Sequence, residues 1–82
     1  MGLKLATMTN IKSEDLAILG NKLRTFRVEK IYSQERLAEL TGLDRTYISG
    51  LERGQRNPSF LIIKRLLTVL EISSNQLFEG NN

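Results

Sequence analysis

Leu16, Leu19, Leu23 and Phe26 recur at helical spacing, with Asn21, Lys22, Arg24 and Thr25 among the residues between them. That period predicts an amphipathic helix that buries one stripe. Ser13 stands before it as a capping hydroxyl, and Glu14 and Asp15 follow at the positive end of the helix dipole. The pattern fades near Glu29, and no glycine marks the end. Residues 1 to 12 have no clear period and read as an N-terminal arm, which leaves 13–82 as the folded domain. A second helix is expected over Gln34 to Thr41, capped by Ser33 and burying Leu37, Ala38 and Leu40. Gly42 is the turn, because a left-handed backbone costs glycine nothing. Asp44 caps a third helix that runs to about Arg53, with Ile48 and Leu51 facing inward at i and i+3. Gly54 stops it, and Gln55 to Pro58 form a loop.

Ser59 follows Pro58 and opens a fourth helix that ends near Leu70. Phe60, Ile63, Leu66, Leu67 and Leu70 form its inward stripe. Leu61, Ile62 and Val69 widen that stripe well past one face. Either the helix is buried all round, or a partner subunit covers a second apolar face. Ser73 and Gln76 have the spacing of a capping box for a short fifth helix, with Ile72 and Leu77 as the hydrophobic staple and Gly80 as its close. The pattern holds five helices and no credible strand, so the fold class is all-α.

Eighty-two residues make one domain, and 40% hydrophobic content suffices for a compact core. The chain has no cysteine and no histidine, which removes disulfides, thiolate metal sites and the commonest general base. Carboxylates, lysines and hydroxyls are scattered at surface-type positions, so no catalytic residue, metal site or cofactor is expected. The net charge is +3, from 12 basic and 9 acidic residues, which alone says little about nucleic acid. Placement says more: Arg45, Arg53 and Arg56 cluster around the third helix, whereas Glu71 and Glu79 lie far from it in sequence. The first twelve residues do not read as a signal peptide, and no apolar run approaches the ~20 residues of a membrane span. A cytoplasmic location is expected. There is no internal repeat, low-complexity tract or linker.

The segment from Ser33 to Ser59 carries the functional signal. Ala38 and Gly42 are four apart, Ile48 lies six beyond Gly42, and Leu51 three beyond that. A small residue lets two helices cross closely, a glycine permits the reversal, and two aliphatics pin the following helix to the core. This is the layout of a DNA-binding helix-turn-helix, whose second helix lies in the major groove. An ordinary helical hairpin in a small bundle is the plainer alternative.

From about Leu19 to Gly80 the chain resembles the helix-turn-helix family of lambda repressor and Cro, also called the XRE family. Ser33 to Ala38 looks like that family's opening of helix two. Leu51-Glu52-Arg53-Gly54 and Asn57-Pro58-Ser59 look like its exit from helix three into helix four. Leu70 to Ser73 and Leu77 to Gly80 resemble its C-terminal end. Within the family, Leu43 to Gly50 is most similar to the controller proteins of restriction–modification systems. Three places depart from the family pattern. Ile31 stands where glycine is frequent after helix one, Arg36 replaces the common acid of helix two, and Leu61 and Ile62 occupy places that are often polar.

The resemblance implies a compact five-helix DNA-binding domain and specific roles for its residues. Gln34 would bond a phosphate; Arg45, Thr46, Tyr47 and Ser49 would face the groove; Arg53, Gln55, Arg56 and Asn57 would grip backbone or groove beyond the helix. Chemistry agrees, since arginine matches guanine O6 and N7 bidentately and a threonine methyl suits thymine. The resemblance also implies an ion pair between Arg27 and Glu52 and a homodimer, and the surplus apolar residues Leu61, Ile62 and Val69 of the fourth helix are expected to form its interface. The partners it implies are a double-stranded operator with two-fold related half-sites, a second copy of the chain, and RNA polymerase as one a regulator can touch. A controller protein is the favoured reading. A phage-type repressor and an antitoxin would use the same fold, and an adaptor that reads no DNA is the competing class. With no effector domain expected beyond residue 80, small-molecule sensing is not anticipated.

Overall fold

A computed structural model of the chain describes residues 13–78. The expected N-terminal arm and the closing role of Gly80 lie outside the described residues. Within them the chain forms five helices and no strand: α1 (Ser13–Glu29), α2 (Gln34–Thr41), α3 (Arg45–Glu52), α4 (Phe60–Leu70) and α5 (Ser74–Phe78). The short helix α3 is wedged between α1 and α2, while α2 also rests on α4 and α1 also rests on α5. Every helix contributes to one core: Leu23 from α1, Leu37 and Ala38 from α2, Ile48 and Leu51 from α3, Ile63, Leu66 and Leu70 from α4, and Leu77 from α5. Burying side chains of this size stabilises the fold by roughly 1.5–3 kcal/mol each before ordering costs. No helix among the described residues is long and apolar enough to cross a membrane.

Local chemistry sets the helix starts. The Ser33 Oγ accepts the Arg36 N–H at 2.9 Å, and the Ser59 Oγ accepts the Ile62 N–H at 3.3 Å. Before α5 the capping box is complete: the Ser73 Oγ accepts the Gln76 N–H at 3.1 Å, and the Gln76 Oε1 accepts the Ser73 N–H at 2.9 Å. Two starts differ from the sequence reading. Ser13 lies inside α1 rather than ahead of it. Asp44 occupies the cap position of α3 with an extended backbone, but its carboxylate makes no capping hydrogen bond.

Two inward assignments are corrected. Leu40 is exposed, and Thr41 is buried in its place with its hydroxyl donating to the Leu37 carbonyl at 2.7 Å. At 100° per residue Thr41 falls between Leu37 and Ala38 on the helix wheel, whereas Leu40 falls outside them. Phe60 is 73% exposed, because the first turn of α4 projects past the core that Ile63 enters.

The helix ends show four left-handed residues: Ile31 at φ 60°, Gly42 at 74°, Gly54 at 74° and Glu71 at 59°. Three of these ends share one bonding scheme. At the end of α1 the Tyr32 N–H donates to the Arg27 carbonyl and the Ile31 N–H to the Val28 carbonyl; α3 repeats this around Gly54 and α4 around Glu71. That is the Schellman arrangement, which satisfies otherwise orphaned carbonyls and usually places glycine at the left-handed position. One further glycine has a packing role. A Cβ on Gly20 would lie 2.1 Å from the Leu51 carbonyl oxygen, so the backbone of α1 rests directly on the last turn of α3.

Candidate nucleic-acid interface

Helix α3 has eight residues and two faces. Ile48 and Leu51 are buried, which turns Arg45 and Thr46 outward and leaves Tyr47 and Ser49 half-buried beside them. Eight residues are too few to hold a helix alone in water, so packing holds this one. The packing includes a charged group. The Arg27 guanidinium clasps the Glu52 carboxylate with both arms, Nε to Oε2 at 2.6 Å and Nη2 to Oε1 at 3.0 Å. Both side chains are nearly enclosed, at 11% and 5% exposure. The third arm of Arg27 donates to the Tyr32 carbonyl at 2.8 Å, so one side chain ties α3 to α1 and to the turn between α1 and α2. No buried side-chain polar atom among the described residues lacks a partner.

The remaining candidates fall into three groups. Gln34 is half-buried and donates to Glu52 Oε1 at 3.0 Å, which anchors the start of α2 to the same carboxylate. Arg53 donates to the Ser49 hydroxyl at 2.7 Å and to Gln55 Oε1 at 3.1 Å, an exposed cluster at the far end of α3. The Arg56 guanidinium lies over the Tyr47 ring, 5.7 Å from its centroid. Arg56 also packs across Gly50, where a Cβ would lie 3.1 Å from its Cγ and Nε. The structure thus gathers Arg45, Thr46, Tyr47, Ser49, Arg53, Gln55 and Arg56 on and around α3. Asn57, next in sequence to Arg56, also lines a groove of about 310 Å³ by α1 and α5, with Leu16, Leu19, Lys22 and Phe78.

Of the residues assigned to a dimer contact, Leu61 is 70% exposed beside Phe60, while Ile62 and Val69 are half-buried against the core. No group of three His, Cys, Asp or Glu residues among the described ones could hold a metal ion.

Three contributors escaped the sequence reading. Glu35, in the first turn of α2, pairs with Arg45, its Oε2 lying 3.1 Å from Nε. Both residues open their helices, ten positions apart, and that juxtaposition was the available signal. Gly50 seats Arg56, and Gly20 admits α3; the only signal for either was a glycine where helix was expected.

Similarity to known proteins follows this geometry. The helix-turn-helix family profile matches residues 23–77. The chain is 42% identical over 79 residues to the "Neisseria hypothetical transcription factor" of Neisseria meningitidis serogroup B, over 94% of this chain and 74% of that protein. The restriction–modification controller protein C.AhdI from Aeromonas hydrophila superposes with a TM-score of 0.76 at 51% identity, over 79% of this chain and 98% of that one. The controller protein C.Esp1396I, crystallised as a tetramer in complex with its natural 35-base-pair operator, superposes with a TM-score of 0.71 at 39% identity, over 78% of this chain and 84% of that one.

Proposed function

This chain belongs to the helix-turn-helix family, and from that premise we propose that it is a sequence-specific regulator of transcription of the restriction–modification controller kind, acting in the cytoplasm on a two-fold DNA operator. The observation that carries the subtype is the 51% identity to C.AhdI, which extends over 98% of that controller's structure. The surface of α3 supports the mode of action. Its first turn is the part of such a helix that meets base edges, and it presents Arg45, Thr46 and Tyr47. Arg45 is assigned the bidentate contact to guanine, worth about 1–3 kcal/mol of discrimination. Gln34, Arg53 and Gln55 are assigned to the phosphates, which position the protein without reading sequence.

A dimer is part of the proposal. Two recognition helices must reach successive major grooves ~34 Å apart, which needs a two-fold contact. Leu61, exposed beside Phe60 on α4, supplies an apolar centre for it, with Ile62 and Val69 behind. Sedimentation is expected to give a dimer at tens of micromolar and a monomer for Ile62→Asp. The decisive experiment is selection of bound duplexes from random DNA. A two-fold symmetric consensus is expected, with one base pair per half-site losing its preference in Arg45→Ala. Recovery of unrelated sequences, with affinity falling uniformly in Arg45→Ala, would overturn base reading by this surface.

A further inference from the structure

We propose that Glu35 is a positioning residue for DNA reading: its carboxylate pairs in charge with Arg45 and keeps the guanidinium where it is offered to a base rather than to a phosphate. This rests on the DNA-reading role of Arg45 proposed above. Four observations lead to it. The Glu35–Arg45 pair bridges the opening turns of the two helices of the motif. Glu35 Oε2 lies 3.1 Å from Nε as a charge contact, and among the described residues no atom of the Arg45 guanidinium donates a hydrogen bond within the chain. The two side chains are 69% and 55% exposed, so the pair stands at the surface that DNA would meet. Finally, Arg45 is the first residue of α3, where the positive end of the helix dipole does nothing to hold a cation, whereas Glu35 is in the first turn of α2, where it is held.

The physical consequences run in one direction. An arginine has many rotamers, and fixing it beforehand lowers the ordering cost of a contact that uses that geometry. The guanidinium is a planar fork of donors, and a carboxylate that holds it by charge alone leaves those donors for the paired acceptors of guanine. A phosphate approaching the same arginine meets the Glu35 carboxylate as well, and that repulsion works against sequence-independent binding. Glu35 therefore contributes to the ratio of specific to non-specific affinity. The neighbouring Glu39 is a useful contrast, because its carboxylate pairs with Arg36 on its own helix.

The test is a double-mutant cycle in the full chain, with Kd measured at one salt concentration. The probes are a duplex carrying the sequence that the wild type selects from random DNA, and a scrambled duplex of equal length. Glu35→Gln is expected to tighten scrambled-duplex binding by about two- to fivefold, the range of an exposed ion pair. It is expected to leave selected-duplex affinity unchanged or weaker, so the specificity ratio falls. In an Arg45→Ala background the same substitution is expected to shift both duplexes by one common factor. Glu39→Gln is expected to leave the ratio at its wild-type value. Equal shifts on both duplexes with Arg45 present would overturn the proposal, since only a general charge effect would remain. A wild type with no preference between the duplexes would instead refute the DNA-reading role itself.

Discussion

Two parts of this molecule face the same problem and answer it with different chemistry. Around α3, the chain turns at Gly42 and Gly54 and joins helices by the enclosed Arg27–Glu52 pair. Where α1 and α4 end, it turns at Ile31 and Glu71 and joins helices by the exposed Lys30–Glu71 pair. The backbone is left-handed in all four turns, yet only the first pair uses the residue that takes this conformation without strain. A β-branched residue there is a genuine outlier, and strain of this kind persists only when the surroundings over-determine it. They do so at Ile31: Arg27 bonds the Tyr32 carbonyl, and the Schellman bonds fix the chain on either side. The buried arginine beneath α3 thus also holds a strained turn. Ile31 itself is 91% exposed, so its side chain returns no burial for that strain.

Breaking the enclosed pair should separate the two regions most. Glu52→Ala leaves a buried guanidinium uncompensated and is expected to cost about 3–5 kcal/mol, against typical domain stabilities of about 5–15 kcal/mol. Thermal melting should drop steeply for Glu52→Ala and barely for Glu71→Gln; similar melting of the two would erase the contrast. Gly54→Ala comes next. A left-handed alanine costs about 1–2 kcal/mol, and its Cβ would lie 2.8 Å from the Ala17 Cα, so a loss of at least that size is expected in urea unfolding. At the other region the sign reverses. Ile31→Gly relieves strain at the cost of unfolded-chain entropy, and a gain of about 1 kcal/mol is expected in the same assay. A loss there would mean that Ile31 is not strained.

The smallest effect concerns pH. The hydrogen bond from Lys30 holds the Glu71 carboxyl below its usual range, and the same bond raises the Lys30 ammonium above its own. A depressed carboxylate stabilises the fold above its ordinary range and loses that contribution as pH falls through the folded value. A raised ammonium stabilises below its ordinary range and loses that as pH rises through the folded value. The pair therefore acts between the two ranges, and exposure and salt keep it weak. The melting difference between wild type and Glu71→Gln should be slight at neutral pH, shrink in acid, and shrink in high salt. A difference that grows in acid would contradict the assignment.

The sequence disclosed what depends on neighbours along the chain. Ser33, Ser59, the Ser73–Gln76 box, Gly42 and Gly54 act within a few residues of themselves, and caps and periodicity together located the five described helices. What it obscured depends on where a face ends and how closely two helices approach. Leu40 and Phe60 share the apolar character of the stripe but stand at its edges, and a one-dimensional period does not say how far the core reaches. Glycine in α1 signals only low propensity until α3 is seen lying on it. At the interface, the grouping of residues around α3 was legible, and the Arg27–Glu52 pair was reachable through family resemblance alone. The Glu35–Arg45 contact and the seat of Arg56 needed the turn geometry in three dimensions.

The seat at Gly20 also has a kinetic meaning. Because α1 lies backbone to backbone on the end of α3 at Gly20, no side chain at that contact can rotate to let α3 lift away. Short helices ordinarily fray on their own, and their amides exchange with solvent long before a domain unfolds. Here the inner amides of α3 have no such private route, so their hydrogen exchange should keep pace with the slowest amides of α1. The helix assigned to read DNA would then present its surface as a fixed die rather than a moving finger, open only in the rare moments when the whole domain is.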